Sequence, residues 1–310
     1  PVTLLSEKIQ RHTLGTDPAT DALVYEEKDK SNYIGVGKSK NNKYIFIVSQ
    51  ATMSSEYRML DASKPNDEFK VFQSRMKDVL YDVITLSDKF LIRTNKDDAK
   101  NFKLMECPLG KTEASNWKEV IPVRNGVEEF KDFIVINERK DGLVKLRIRS
   151  LKDNNEHYLD FGEPTYAANF GANPEYNSTT LRYGYTSLTT PSSVYDYNMI
   201  TKVKTLKKQQ EVLGGYNPTD YATERLNAIA KDGTKVPVSI VYKKGFKKDG
   251  NAPLLLYAYG SYGASMDASF SSTRLSLLNR GFVYAIAHIR GGQETVSYTH
   301  LAGDSQMTLP

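Results

Sequence analysis

The sequence predicts a partial β-propeller followed by the first strands of an α/β domain. Two features predict the propeller. Apolar strand cores recur about every 45 residues through the first two-thirds of the chain, and the 20 tyrosines suit half-buried pleated surfaces. A third feature predicts the second domain: near residue 254 short alternating strands give way to continuously apolar ones separated by a helix-like segment.

The repeat rests on four cores, Tyr44–Val48, Phe90–Ile92, Phe133–Ile136 and Leu181–Tyr185, whose first residues are 46, 43 and 48 apart. A turn and a second strand follow them. Asp141-Gly142 leads into Val144–Arg149, which alternates apolar and polar with period two, and Thr190–Ser193 leads into Tyr195–Met199. Several short strands per unit, repeated at this distance, are the mark of propeller blades, each burying its faces against its neighbours. A β-sandwich has turns every ~8–12 residues but lacks the longer period. The period therefore predicts about four to five blades over residues 1–212.

Gly214-Gly215-Tyr216-Asn217-Pro218 is a loop-forming cluster and marks a domain boundary. Beyond it, Asp232-Gly233 between two strand-like runs predicts a hairpin. Pro237 has no N–H for a ladder and belongs at a strand edge or start. Leu254–Tyr257 and Phe282–Ala287 are apolar on both faces, as expected of buried parallel strands. Between them, Ser271–Arg280 carries Leu275, Leu277 and Leu278, with serines at its start as N-cap candidates and Gly281 just past its end, which predicts a short helix. Strand, loop, helix, strand is a βαβ unit and opens an α/β sheet.

Composition narrows the function classes. The 42 basic and 37 acidic residues are interspersed, giving +5. The densest basic run, Lys202–Lys208, reads as a solvated edge or linker, and nothing gathers basic and aromatic residues on one face as nucleic-acid binding requires. Cys107 is the single cysteine, which excludes an intrachain disulfide and a cysteine zinc site and fits a reducing, cytoplasmic compartment. The four histidines, His12, His157, His288 and His300, lack metal-ligand spacing, so no metal or cofactor is expected. His288, at the end of a predicted buried strand, is expected to be packed and hydrogen-bonded. No apolar run approaches the ~20 residues of a membrane span.

Gly35-Val36-Gly37-Lys38-Ser39 looks like the end of a phosphate-binding loop, but position 32 is Asn where glycine is required, so it is expected to be a turn before a blade strand. The nucleophile elbow Gly-x-Ser-x-Gly does not occur, and Ser261 and Ser305 lie in the wrong setting for it. The most informative segment is Leu254 to Asp267. A buried-type strand runs into the Gly- and Tyr-rich loop Tyr259-Gly260-Ser261-Tyr262-Gly263. Ligands of open α/β sheets bind at that end of a strand. Spacing alone favours the reading in which these tyrosines simply pack a domain interface.

Leu256–Ser265, Ser276–Gly292, the Asp232–Pro237 hairpin, Glu224-Arg225-Leu226 and Ser187–Tyr195 together resemble the oligopeptidase B branch of the prolyl oligopeptidase family. The resemblance spans roughly 20–294 and is most specific in its last 110 residues. It implies a seven-bladed propeller capping an α/β-hydrolase domain, here only its first part (213–294), and hydrolysis of short peptides after Arg or Lys by a Ser-Asp-His triad. By the same resemblance, Tyr259 contributes its hydroxyl to the oxyanion hole. Tyr262 forms an aromatic wall beside the specificity pocket, and Asp267 faces a basic residue near the scissile bond. Relatives often carry a second acid two positions later. Here that position is Ser269, which puts selectivity for paired basic residues in doubt. Arg290, in the Arg-Gly-Gly turn, is expected to be structural.

The family pattern stops after Glu294. Residues 295–310 are expected to be a non-native tail, and the triad residues are expected to lie outside the chain, leaving it inactive by itself. The start, Pro1-Val2-Thr3, has no initiator Met. Two other functions compete: a non-catalytic propeller that binds a partner, and a related acyl-peptide or ester hydrolase.

Overall fold

A computed structural model of the chain describes residues 5–99, 102–122, 126–140, 142–260 and 264–291. The chain divides into two compact units, one of residues 1–124, 129–131 and 174–177, the other of 125–128, 132–173 and 178–310.

The first unit begins with a hairpin of β1 (Lys8–Arg11) and β2 (Ala22–Glu26). Two four-stranded antiparallel sheets follow, each in sequential order. One is β3 (Tyr33–Lys38), β4 (Tyr44–Gln50), β5 (Ser55–Asp61) and β6 (Lys70–Gln73). The other is β7 (Tyr81–Thr85), β8 (Lys89–Thr94), β9 (Lys103–Pro108) and β10 (Lys118–Pro122). Their core is aromatic: Phe46, Phe72, Tyr81, Phe90 and Trp117 pack with Ile92, Met105 and Cys107. Phe72 meets Phe90 edge-to-face at 5.0 Å, and Tyr81 lies 5.4 Å from Trp117. Each such buried side chain contributes about 1.5–3 kcal/mol.

Gly35–Lys38 is not a turn. It belongs to β3, which pairs with β4 through Lys38↔Ile45, and the turn lies one step later, where the Asn42 N–H donates to the Ser39 carbonyl. Glycine lowers strand propensity, but the partner ladder overrides it.

β11 (Gly126–Glu129) leads into the second unit. There β12 (Phe133–Lys140), β13 (Leu143–Ser150) and β14 (Glu156–Tyr158) complete its four-stranded sheet. Five consecutive residues of β12 are buried, while β13 alternates, burying Val144, Leu146 and Ile148. The next sheet is β15 (Tyr166–Phe170), β16 (Thr180–Ser187), β17 (Ser193–Asn198) and β18 (Lys204–Gln209). All six residues of its last strand, β18, are exposed, as the basic run predicts for a solvated edge.

The remaining sheet is mixed, in the order β19-β20-β22-β21. β19 (Tyr221–Ile229) and β20 (Lys235–Lys243) form the expected hairpin, with Gly233 at φ +82° in the turn. Pro237 lies near the start of β20, and its carbonyl accepts from the His288 N–H. β21 (Leu254–Ala258) runs parallel to β22 (Val283–Ala287), and α1 (Ser272–Asn279) connects them. Leu278 of α1 joins Val241, Tyr221, Ala268 and Ile286 in the core. Gly281, past the helix end, has φ +85°, which only glycine adopts freely. Ser271 stands at the N-cap but makes no side-chain cap bond, because its Oγ pairs with Thr273 Oγ1 at 2.9 Å.

The sequence predicts that both parallel strands are buried, and only β22 is. Leu254 is 58 % and Leu255 44 % exposed, so both faces of β21 are open among the described residues. Among the described residues β21 is the sheet's edge and pairs on one side only.

Candidate functional site

The loop that leaves the C-terminal end of β21 carries the predicted site residues. Tyr259 follows β21 directly and is 41 % exposed. Tyr262 lies outside the described residues, as does Ser261. Asp267 precedes α1, and the stretch just after it is anchored twice. The Phe270 N–H donates to Thr186 Oγ1 of β16 (3.0 Å), and the Arg274 guanidinium donates to the Ser269 carbonyl (2.9 Å) while stacking on the Tyr284 ring. Ala268, next to Asp267, is buried.

The carboxylate of Asp267 is joined to Arg139, at the end of β12, rather than to another loop residue. Nη1 of Arg139 donates to Oδ1 at 2.9 Å, and Nη2 lies 3.5 Å from Oδ2. The arginine side chain is only 7 % exposed, against 30 % for the aspartate. A charge-assisted pair of this kind is among the stronger hydrogen bonds, and it closes one side of the carboxylate.

A second cluster lies at the C-terminal end of β22. His288 is buried, as expected, and its Nε2 lies 2.8 Å from Ser239 Oγ. Ser239 Oγ in turn meets Thr165 Oγ1 at 2.6 Å and accepts from Arg225 at 3.1 Å. Full burial of Ser239 and Thr165 makes this a positioning network and keeps substrate away from the serine. Arg290 pairs with Asp232 at 2.5 Å, tying the turn after β22 to the β19–β20 hairpin. The Thr234 amide and then Arg290 hold the Asp232 carboxyl down at about 2.

Sequence reasoning missed Arg139, Ser239 and Thr165. Arg139 sits in the charged run Glu138-Arg139-Lys140, which has no local feature to set it apart from a solvated strand end. Ser239 and Thr165 are single polar residues whose partners are remote in sequence. Among the described residues no group of three or more His, Cys, Asp or Glu side chains is arranged to hold a metal. No helix among them is long and apolar enough to cross a membrane.

Residues 2–210, two-thirds of the chain, match the prolyl oligopeptidase N-terminal beta-propeller domain. The chain belongs to the prolyl oligopeptidase family. The sequential four-stranded sheets β3–β18 are thus blades of that family's propeller. Within the family, dipeptidyl aminopeptidase BI of Pseudoxanthomonas mexicana is 47 % identical over 300 residues, covering 95 % of this chain and 41 % of the relative. Protease 2 of Moraxella lacunata is 33 % identical over 93 % of this chain and 42 % of its own length. Among solved structures, oligopeptidase B from Leishmania major superposes with a TM-score of 0.82 at 31 % identity, over 97 % of this chain and 44 % of that one. The Trypanosoma brucei oligopeptidase B structure with covalently bound antipain also gives 0.82, at 32 % identity, covering 96 % and 44 %. The chain therefore spans about two-fifths of the length of these relatives.

Proposed function

We propose that the chain is part of a serine oligopeptidase that hydrolyses short peptides after Arg or Lys. Residues 1–212 form the propeller, which restricts access to short peptides, and 213–294 begin an α/β-hydrolase domain. The triad serine, aspartate and histidine belong to a part of the enzyme outside residues 1–310, and the chain alone is inactive. The serine attacks the scissile carbonyl, the histidine carries its proton to the leaving amine, and the aspartate orients the histidine. Tyr259 O–H and a backbone N–H hold the oxyanion, Tyr262 walls the specificity pocket, and Asp267 lies at the position from which the family reads a basic substrate residue near the scissile bond. A reducing, cytoplasmic setting fits the single cysteine.

One observation carries this reading: the Tyr259 loop leaves the C-terminal end of a parallel edge strand, the end where open α/β sheets bind ligands. The test is to express the complete reading frame of the source DNA and assay fluorogenic peptides ending in Arg, Lys or a neutral residue. Hydrolysis after Arg and Lys, abolished by a serine-directed phosphonate, is expected. Absence of hydrolysis, or a preference for neutral residues, overturns it.

The 47 % identity to a protein named dipeptidyl aminopeptidase favours a second reading, in which dipeptides are released from a free N-terminus. Acetylating the substrate's N-terminus separates the two, since it blocks only dipeptide release.

A further inference from the structure

From the Arg139–Asp267 pair we infer that Arg139 is a specificity-determining residue. It supplies from inside the protein the positive charge that Asp267 would otherwise take from a substrate, so the enzyme does not select for paired basic residues. This inference rests on the proposed peptidase function.

Three features of the site support it. First, Asp267 is already paired: Arg139 Nη1 donates to Oδ1 at 2.9 Å, and Nη2 approaches Oδ2 at 3.5 Å. A carboxylate with a guanidinium counter-ion presents little net charge, and a second cation arriving at it meets the first one's repulsion. Second, a substrate cannot easily displace Arg139. Its side chain is 7 % exposed, and Nη1 also donates to the Gly142 carbonyl at 3.3 Å, so taking Asp267 away would strand a buried charge. Third, position 269 is serine, so no acid stands two positions on to replace the neutralised one. Asp267 remains 30 % exposed, which keeps it within reach of substrate once Arg139 is removed.

Two peptides that differ only in the residue before the cleaved arginine, Arg-Arg and Ala-Arg, test this in the complete enzyme. The wild-type kcat/KM ratio should lie within about threefold of one, and Arg139→Met should raise it to about tenfold or more, chiefly through KM for the Arg-Arg peptide. Arg139→Lys should restore the wild-type ratio, and adding Asp267→Asn to Arg139→Met should cancel the gain. A structural role alone would move both peptides together. A wild-type ratio of about tenfold or more in favour of Arg-Arg overturns the inference without any variant. So does an unchanged ratio in Arg139→Met. If the wild type cleaves neither peptide, the peptidase reading itself fails and the inference falls with it.

Discussion

Ser239 Oγ lies 2.8 Å from His288 Nε2, with both residues buried and on adjacent strands, β20 and β22. The same hydroxyl also meets Thr165 and Arg225. Ser239→Ala removes the shared partner of three polar groups inside the protein. It should cost about 1–3 kcal/mol, read as a lower urea midpoint at unchanged slope. An unchanged midpoint would show that the network contributes nothing to stability.

Trp117, the single tryptophan, packs on Tyr81 in the aromatic core of the first unit. Its emission should therefore report the unfolding of that unit. Phe90→Ala, at a fully buried position, should lower the fluorescence-detected stability by about 3–5 kcal/mol through loss of packing and the cavity left behind.

Glu27 should make the first unit acid-sensitive. Burial pushes its carboxyl up, but hydrogen bonds from Ser49, the Asp29 amide, Tyr25 and Arg75 outweigh that and hold it at about 2, against an ordinary 4.5. A depressed carboxyl stabilises the fold fully above its ordinary value, and that stability is lost as pH falls toward about 2. Glu27→Gln should be less stable than wild type at pH 6 by about 1–2 kcal/mol, and the gap should close on acidification. A gap that stays constant with pH would contradict this.

Cys107 should be inert in the folded protein. Burial, then the charges of Glu113 and Glu106, push its thiol up to about 12, so almost no thiolate exists near neutrality. A thiol reagent at pH 8 should label it more than about a hundredfold faster in guanidinium chloride than in buffer.

Tyr259→Phe, made in the complete enzyme, should lower kcat by about 10²–10³ with little change in KM, because the hydroxyl would act on charge that develops only in the transition state. Unchanged kcat would remove Tyr259 from the oxyanion hole.

The four apolar cores that reveal the repeat are β4, β8, β12 and β16, in each case the second strand of a four-stranded sheet. β8 and β12 each carry at least three consecutive buried residues and β4 carries two, while β16 alternates, burying Leu181, Tyr183 and Tyr185 and exposing Arg182; either way the apolar core recurs at a spacing that shows in the sequence. Outer strands need no such core. β18 reads as a charged run and β3 as a turn because a strand at a sheet's margin can be polar or glycine-rich and still complete a ladder. The βαβ unit was legible from its apolar runs and Gly281. The exposure of β21 is that of a chain spanning about two-fifths of its relatives' length. Within the candidate site, Asp267 could be singled out through its loop. Its partner was not, since Arg139 lies 128 residues away in another sheet and no local pattern encodes a contact at that distance.

β18 ends its sheet with a row of backbone groups facing solvent, the geometry that invites a strand from another molecule to add on. Lys204, Lys207 and Lys208 on that strand, with Lys202 just before it, make two such edges repel each other. A run of like charge on an exposed strand opposes edge-to-edge pairing. Neutralising it by acetylation or by Lys→Gln changes should leave the chain's fold intact while opening a route to edge-to-edge association, visible as concentration-dependent light scattering.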